Sequence, residues 1–145
     1  MRKLFFIEKN YQVFYFPKHM IDKITLPIFP LNGAILFPDT NLPLNIFEEK
    51  YIDMVNFALK NSREIGMIQT NNEKELYSVG CIGKINSFEE MEDGRYVINL
   101  YGKNLFSLCN EVSSKNKFKI VTANVLPNEY GEIKLEQGAI DLLLD

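Results

Sequence analysis

Between Leu26 and Leu59 the chain reads LPIFPLNGAILFPDTNLPLNIFEEKYIDMVNFAL, with prolines at 27, 30, 38 and 43 and none from 44 to 59. That spacing constrains the fold more than any other feature. Proline lacks the backbone donor and fixes φ, so no helix runs through 26–43 and no long central strand fits there. The apolar pieces between the prolines read as short strands or extended segments: 24–29 ended by Pro30, 35–37 ended by Pro38, and 44–47, with turns at 31–33 and 39–41. An acidic step at Glu48 and Glu49 then opens a helix. Tyr51, Val55, Ala58 and Leu59 recur at three- and four-residue spacing and share one face, which Ile52 widens. Glu48, Glu49 and Asp53 lie near the amino end, and Lys60 and Arg63 at or beyond the carboxyl end, as the helix dipole favours. The helix is predicted over 48–61.

The rest of the chain is strand-like. IGMIQ (65–69) reads as a buried strand, followed by the polar loop TNNEK (70–74). Residues 79–88 and 95–108 are the two long strands, joined at Asp93-Gly94, the best turn signal in the chain. A plain two-residue turn sets Phe88 opposite Asn99. A slip of one sets it opposite Ile98, the better apolar pair, so a bulge or a longer turn is predicted. FKIVTANV (118–125) alternates and closes the sheet. Strands with one principal helix bury one face each most simply as an antiparallel barrel, giving a mainly-β fold.

Both ends differ from this pattern. Residues 1–23 carry LFFI and QVFYF around a polar EKN turn, a hairpin signature. Two readings stand: an extra hairpin covering a sheet edge, or a translated leader ahead of a start at Met20, the second preferred. Residues 127–145 read as a linker and a short helical tail with Ile140, Leu143 and Leu144 apolar. The domain proper is then 24–126.

Composition narrows the chemistry. The net charge of −3, with no basic stripe, argues against nucleic acid as the partner. No stretch approaches the ~20 apolar residues of a membrane span, and the start lacks the apolar run of a signal peptide, so a cytoplasmic location is expected. Cys81 and Cys109 form no CxxC pair and His19 is the one histidine, so neither a metal nor another cofactor is expected, and each thiol reads as free and buried. No GxxxxGK[ST] loop is present. The serines at 62, 78, 87, 107, 113 and 114 have no activating context. His19 is no convincing general base, and Glu89, Glu90, Glu92 and Asp93 read as a solvated turn tip rather than paired catalytic acids.

As a set, LPIFPL (26–31), ILFP (35–38), LPLNIFEEKY (42–51), DMVNFAL (53–59), VGCIGKI (79–85) and DGRYVINLYG (93–102) resemble the amino-terminal domain of Lon-type ATP-dependent proteases over roughly residues 24–125. The resemblance implies a PUA-like antiparallel pseudo-barrel. It also implies a non-catalytic, stand-alone substrate-recognition module of protein quality control, without the ATPase and Ser–Lys protease domains. Two positions depart from the family pattern. Lys50 stands where F-E-x-R-Y has arginine, and Leu105 stands in the arginine place of G-x-x-R-F. Lysine keeps the charge but loses the planar fork of a bidentate pair. Glu48 and Lys50 read first as a capping or bridging pair.

Pro27, Phe29, Pro30, Leu31, Phe37, Pro38, Leu42 and Pro43 are more apolar residues than one small core should need. Those left outside form an interaction patch. The predicted polypeptide-binding residues are Phe29, Leu31, Phe37, Leu42 and Phe47, with Phe47 plugging the barrel and Tyr51 behind it. The partner class is unfolded or apolar-rich polypeptide, with a protease as a further partner. Two alternatives remain: a small-ligand or RNA binder of the same barrel class, and a fragment of a longer protease.

Overall fold

The structure, a computed structural model, describes residues 2–7, 12–17 and 22–127. The predicted helical tail and His19 lie outside them. Along the chain come β1 (Arg2–Ile7), β2 (Gln12–Pro17), β3 (Asp22–Pro30), β4 (Asn41–Ile46), α1 (Glu49–Lys60), β5 (Glu64–Ile68), β6 (Val79–Glu90), β7 (Tyr96–Val112) and β8 (Ile120–Val125). β1 and β2 pair as an antiparallel hairpin in a sheet of their own. The other six strands form one sheet in the order β4-β7-β6-β5-β3-β8. β8 also pairs with β7, so the circuit β7-β6-β5-β3-β8 closes on itself and β4 is added to its outside.

The strands follow the expected order, and β8 closes the sheet as predicted. One pairing differs: β3 runs parallel to β5, with Ile28 opposite Gly66 and Pro30 opposite Ile68. A parallel pair needs a long crossover, and β4 with α1 supplies it. Residues 35–37 join no strand, and Pro30 ends β3 from within rather than from beyond it. Pro43 sits inside β4, tolerated because β4 is an edge strand paired only with β7.

The core has two parts. Leu26, Ile28, Ile68, Ile82, Phe106, Val121 and Ala123 pack as one cluster. A larger cluster holds Phe29, Met54, Val55, Ala58, Ile65, Met67, Ile98 and Leu100, among others, under α1. β3 feeds both, which explains why residues 26–29 are buried without alternation. Phe106 reaches across its cluster because Gly66 and Gly80 leave room: a Cβ at Gly80 would stand 2.6 Å from its ring and 2.4 Å from the Met67 carbonyl oxygen. Leu105 packs in the helix-side cluster, and so does Cys81, whose thiol burial pushes up to about 12. Cys109, predicted buried, is only half-buried.

α1 begins and ends within a residue or so of the prediction, with Glu49 in the first turn and Lys60 in the last. Its buried face is rotated from the predicted one. Met54, fully buried, joins Val55 and Ala58 at the centre, and Tyr51, Ile52 and Leu59 flank them. The β6–β7 hairpin has the predicted slip. Phe88 pairs with Ile98, with an irregularity between Ile85 and Ser87 and a loop closed by the Met91 amide on the Arg95 carbonyl at 2.8 Å. The pair is not buried on both sides: Ile98 is covered, Phe88 is 42% exposed. β5 pairs with β6 only as far as Lys84, so Phe88 has a neighbouring strand on one side alone, and its ring meets Tyr96 edge-on at 4.9 Å.

Candidate functional site

The segment between β3 and α1 builds an apolar hollow in the region the sequence points to. After Pro30 the chain turns at Asn32 and Gly33, where φ is 88°. The Gln69 side-chain amide holds this turn by donating to the Leu31 carbonyl at 3.2 Å and the Ala34 carbonyl at 2.6 Å. Leu36 then enters the core and Phe37 is half-buried. Residues 37–40 form a tight turn in which the Thr40 hydroxyl donates to the Phe37 carbonyl at 2.7 Å. That turn lies directly on Gly102: the Asp39 amide donates to the Gly102 carbonyl at 2.9 Å, and the Gly102 amide to the Thr40 carbonyl at 2.8 Å. The Tyr101 hydroxyl donates to the Asp39 carboxylate at 2.9 Å, which keeps its proton on and raises its pKa.

β4 then alternates, with Leu42, Leu44 and Ile46 turned towards the core and Asn41, Pro43 and Asn45 exposed. The same parity decides Phe47. Ile46 takes the inward place, so the next side chain points out, and Phe47 is 71% exposed. It does not plug the barrel as predicted. Glu48 occupies the N-cap position with an extended backbone and makes no side-chain cap. Glu48 and Lys50 do not bridge either: Lys50 places its ammonium 4.9 Å above the Tyr51 ring, a cation–π placement. Tyr51 in turn stacks on Phe29, ring centroids 4.4 Å apart at a 36° tilt.

The result is a groove of about 280 Å³ between the end of β3, the end of β4 and the start of α1. Phe29, Leu31, Leu44 and Tyr51 line it, Phe47 stands at its edge, and Glu48 and Lys50 mark its polar rim. Of the five residues predicted to bind polypeptide, it brings together Phe29, Leu31 and Phe47. Phe29 offers little surface, being 6% exposed. Phe37 and Leu42 are not in it: Phe37 belongs to the turn on Gly102, and Leu42 packs against the core. Leu44 and Tyr51 were missed as lining residues. The alternation of β4 carried the signal for Leu44, since it puts residues 42, 44 and 46 on one face.

Two larger hollows, of about 440 and 400 Å³, are lined mainly by polar loop residues such as Asn32, Asn71 and Lys74, or Glu111, Ser113 and Asn116. Glu89, Glu90, Glu92 and Asp93 are exposed. The Arg95 backbone amide and guanidinium hold Asp93 below the usual carboxylate range. Among the described residues, no three His, Cys, Asp or Glu side chains gather as a metal site.

Residues 25–143 match the family described as the ATP-dependent protease La (LON) substrate-binding domain. The chain belongs to the Lon substrate-binding domain family. Relatives of this Lon domain include Lon protease 1 of Bdellovibrio bacteriovorus, 35% identical over 80 residues, or 50% of this chain and 10% of that protein. Another is the Lon protease of Flavobacterium johnsoniae, 28% identical over 99 residues, or 63% of this chain and 12% of that one. The chain thus spans about a tenth of the length of these curated relatives. Among solved structures, the Lon N-terminal domain protein from Xanthomonas campestris superposes with a TM-score of 0.62 at 23% identity, over 72% of this chain and 60% of that one. The N-terminal domain of Mycobacterium avium complex Lon protease gives 0.61 at 15% identity, over 72% and 55%. These two show a shared fold. Within the Lon domain frame, the departure at Leu105 has a physical consequence. The side chain is 6% exposed in the helix-side core, where an unpaired charge would be costly to bury. Lys103, two residues earlier, faces outward and pairs with Glu64 at 2.7 Å.

Proposed function

We propose that this domain is a non-catalytic, cytoplasmic recognition module that captures unfolded or apolar-rich polypeptide in the groove between β3, β4 and α1, in the service of a Lon-type protease. One observation carries the reading: Phe47 is 71% exposed at the edge of an apolar groove. Membership of the Lon substrate-binding family supports it. An exposed aromatic gains on being covered, at about 25 cal/mol per Å² of apolar surface. An extended client loses conformational freedom on ordering, which offsets much of that gain. A single shallow groove therefore binds in the micromolar range or weaker, and relies on several sites acting together for retention.

The test is a titration of a labelled unfolded protein, and of its folded form, against the chain. The unfolded form is expected to bind and the folded form not. Phe47→Ala leaves the fold intact because little of the side chain is buried, and should weaken binding about tenfold, equivalent to about 1.4 kcal/mol. Phe47→Trp should retain binding. Equal affinity for both forms, or undiminished binding by Phe47→Ala, overturns the reading. Tighter binding to RNA than to either polypeptide replaces it with the RNA-binding alternative.

A further inference from the structure

We infer that the hollow adjoining the groove takes a carboxylate carried by the captured polypeptide, a refinement that rests on the capture proposed above. Pro30, at the end of β3, lines both the groove and the hollow of about 440 Å³, so a chain leaving the groove past Pro30 enters the hollow. Extended chain rises about 3.3 Å per residue, so about two to four residues make that passage. The groove carries no net charge at its rim, where Glu48 stands against Lys50. The hollow is different: Lys74 and Lys119 line it together with Asn32, Asn71 and Asn72, and no Asp or Glu is in its lining. Glu73 and Glu75 flank Lys74 along the chain but stay outside that lining.

The two lysines arrive from separate loops, and the backbone of each is held. The Lys74 amide donates to the Asn71 carbonyl at 3.0 Å, and the Lys119 carbonyl accepts from the Ile28 amide of β3 at 2.9 Å. Asn71 shapes the first loop, its Oδ1 accepting from the Glu73 and Glu75 amides at 2.9 Å each. Among the described residues neither ammonium has an ion-pair partner, the pairs there being Arg95 with Asp93 and Lys103 with Glu64. Among the same residues, the side-chain NH2 groups of Asn32, Asn71 and Asn72 meet no acceptor. A set of donors without acceptors suits a ligand group that only accepts, and an ionised carboxylate offers two oxygens with about four acceptor sites. Phosphate accepts as well, but nucleic acid would lay a polyanion across an apolar groove on a chain of net charge −3. A polypeptide supplies the apolar residue and the carboxylate from one chain, the latter as an Asp or Glu side chain or as its free carboxyl end.

Three labelled peptides that share one apolar cluster test this. The first carries Asp about two to four residues from the cluster on either side and has an amidated end. The second, neutral, has Asn at those positions and an amidated end. The third has Asn there and a free carboxyl end about three residues beyond the cluster. Binding to the full chain is read by fluorescence anisotropy at about 20 mM and about 500 mM salt, where screening of exposed charges is weak and nearly complete. At low salt the Asp peptide, the free-end peptide or both are expected to bind about fivefold tighter than the neutral one, falling to less than about twofold at high salt. Which of them gains tells an acidic side chain from a chain end. Lys74→Gln with Lys119→Gln should abolish the gain and leave the neutral peptide unchanged. Lys60→Gln with Lys84→Gln, the same loss of charge outside both linings, should keep the gain. Equal affinity for the three peptides, a preference for the neutral one, a gain that the Lys74 and Lys119 variant keeps, or a gain that the Lys60 and Lys84 variant also loses overturns carboxylate binding in the hollow and leaves capture of polypeptide standing. An RNA oligomer that binds tighter than all three peptides and depends on Lys74 and Lys119 overturns it in favour of phosphate. Failure of all three peptides to bind overturns both readings.

Discussion

Replacing Gly102 by alanine isolates the contact that seats the loop between β3 and β4. Gly102 is not in the left-handed region, so alanine meets no conformational strain there; the obstacle is space. A Cβ would stand 2.0 Å from the Phe37 carbonyl oxygen and 2.8 Å from its carbon. Both are backbone atoms, so the 37–40 turn must retreat. Its movement breaks or stretches the two backbone hydrogen bonds between Gly102 and residues 39 and 40, at 2.9 and 2.8 Å. Those bonds contribute about 1 kcal/mol each, and overpacking typically adds about 1–3 kcal/mol. Alanine stiffens the unfolded chain and returns about 0.4–1 kcal/mol. The net destabilisation is about 2–4 kcal/mol, or roughly 8–16 °C in melting temperature for a domain of this size. Urea denaturation followed by circular dichroism measures it, with an unchanged m-value marking a native-state effect. Gly33→Ala is the comparison. It has open space around it but a φ of 88°, so it should cost about 1–2 kcal/mol from backbone conformation alone. Gly102→Ala within about 0.5 kcal/mol of the parent chain would refute the steric argument, since typical surface substitutions fall in that range.

Phe106→Ala should cost about 3–5 kcal/mol, because the ring is fully buried and Gly66 and Gly80 leave no side chains to refill the space; a loss under about 1 kcal/mol by denaturation would show that the cluster collapses around the gap. The buried Cys81 thiol gives a pH dependence with a definite sign. Its folded pKa is raised from 9.0 to about 12, so below pH 9 it is protonated in both states and its contribution is fully present. Between 9 and 12 only the unfolded chain releases the proton, and stability falls by up to about 1.4 kcal/mol per pH unit. Cys81→Ala should show a shallower decline over that window, and parallel urea-midpoint curves for the two chains would count against it.

Much of the fold was legible in local sequence. The helix was visible because four prolines exclude it from 26–43 and periodicity restores it at 49–60. The hairpin register was legible because only one slip sets Phe88 against Ile98. What local pattern could not show was partner choice. The parallel pairing of β3 with β5 depends on where the crossover through β4 and α1 lands, and no residue in LPIFP states it. The orientation of Phe47 followed from strand parity, since an inward Ile46 forces its neighbour out. Reading the apolar run as core hid that. Phe37 and Leu42 looked equivalent to Phe29 and Leu31 as composition; the seating of the 37–40 turn on Gly102 separates Phe37, and packing against the core from β4 separates Leu42.

β8 is the clasp of the sheet circuit, pairing with β3 on one side and with β7 on the other. Its partners lie at very different distances along the chain. Leu26 and Val121 are 95 positions apart, whereas Glu90 and Tyr96 at the base of the β6–β7 hairpin are 6 apart. Loop-closure entropy grows as the logarithm of that separation, so joining β3 to β8 costs roughly 2.5 kcal/mol more than closing the hairpin. Nothing local repays this until Leu26, Ile28, Val121 and Ala123 come together around Phe106. The β3–β8 seam therefore gives the domain a high contact order, the topological property that slows folding. Until it forms, β3 and β8 each leave an unpaired edge open to other chains, which the closed circuit covers.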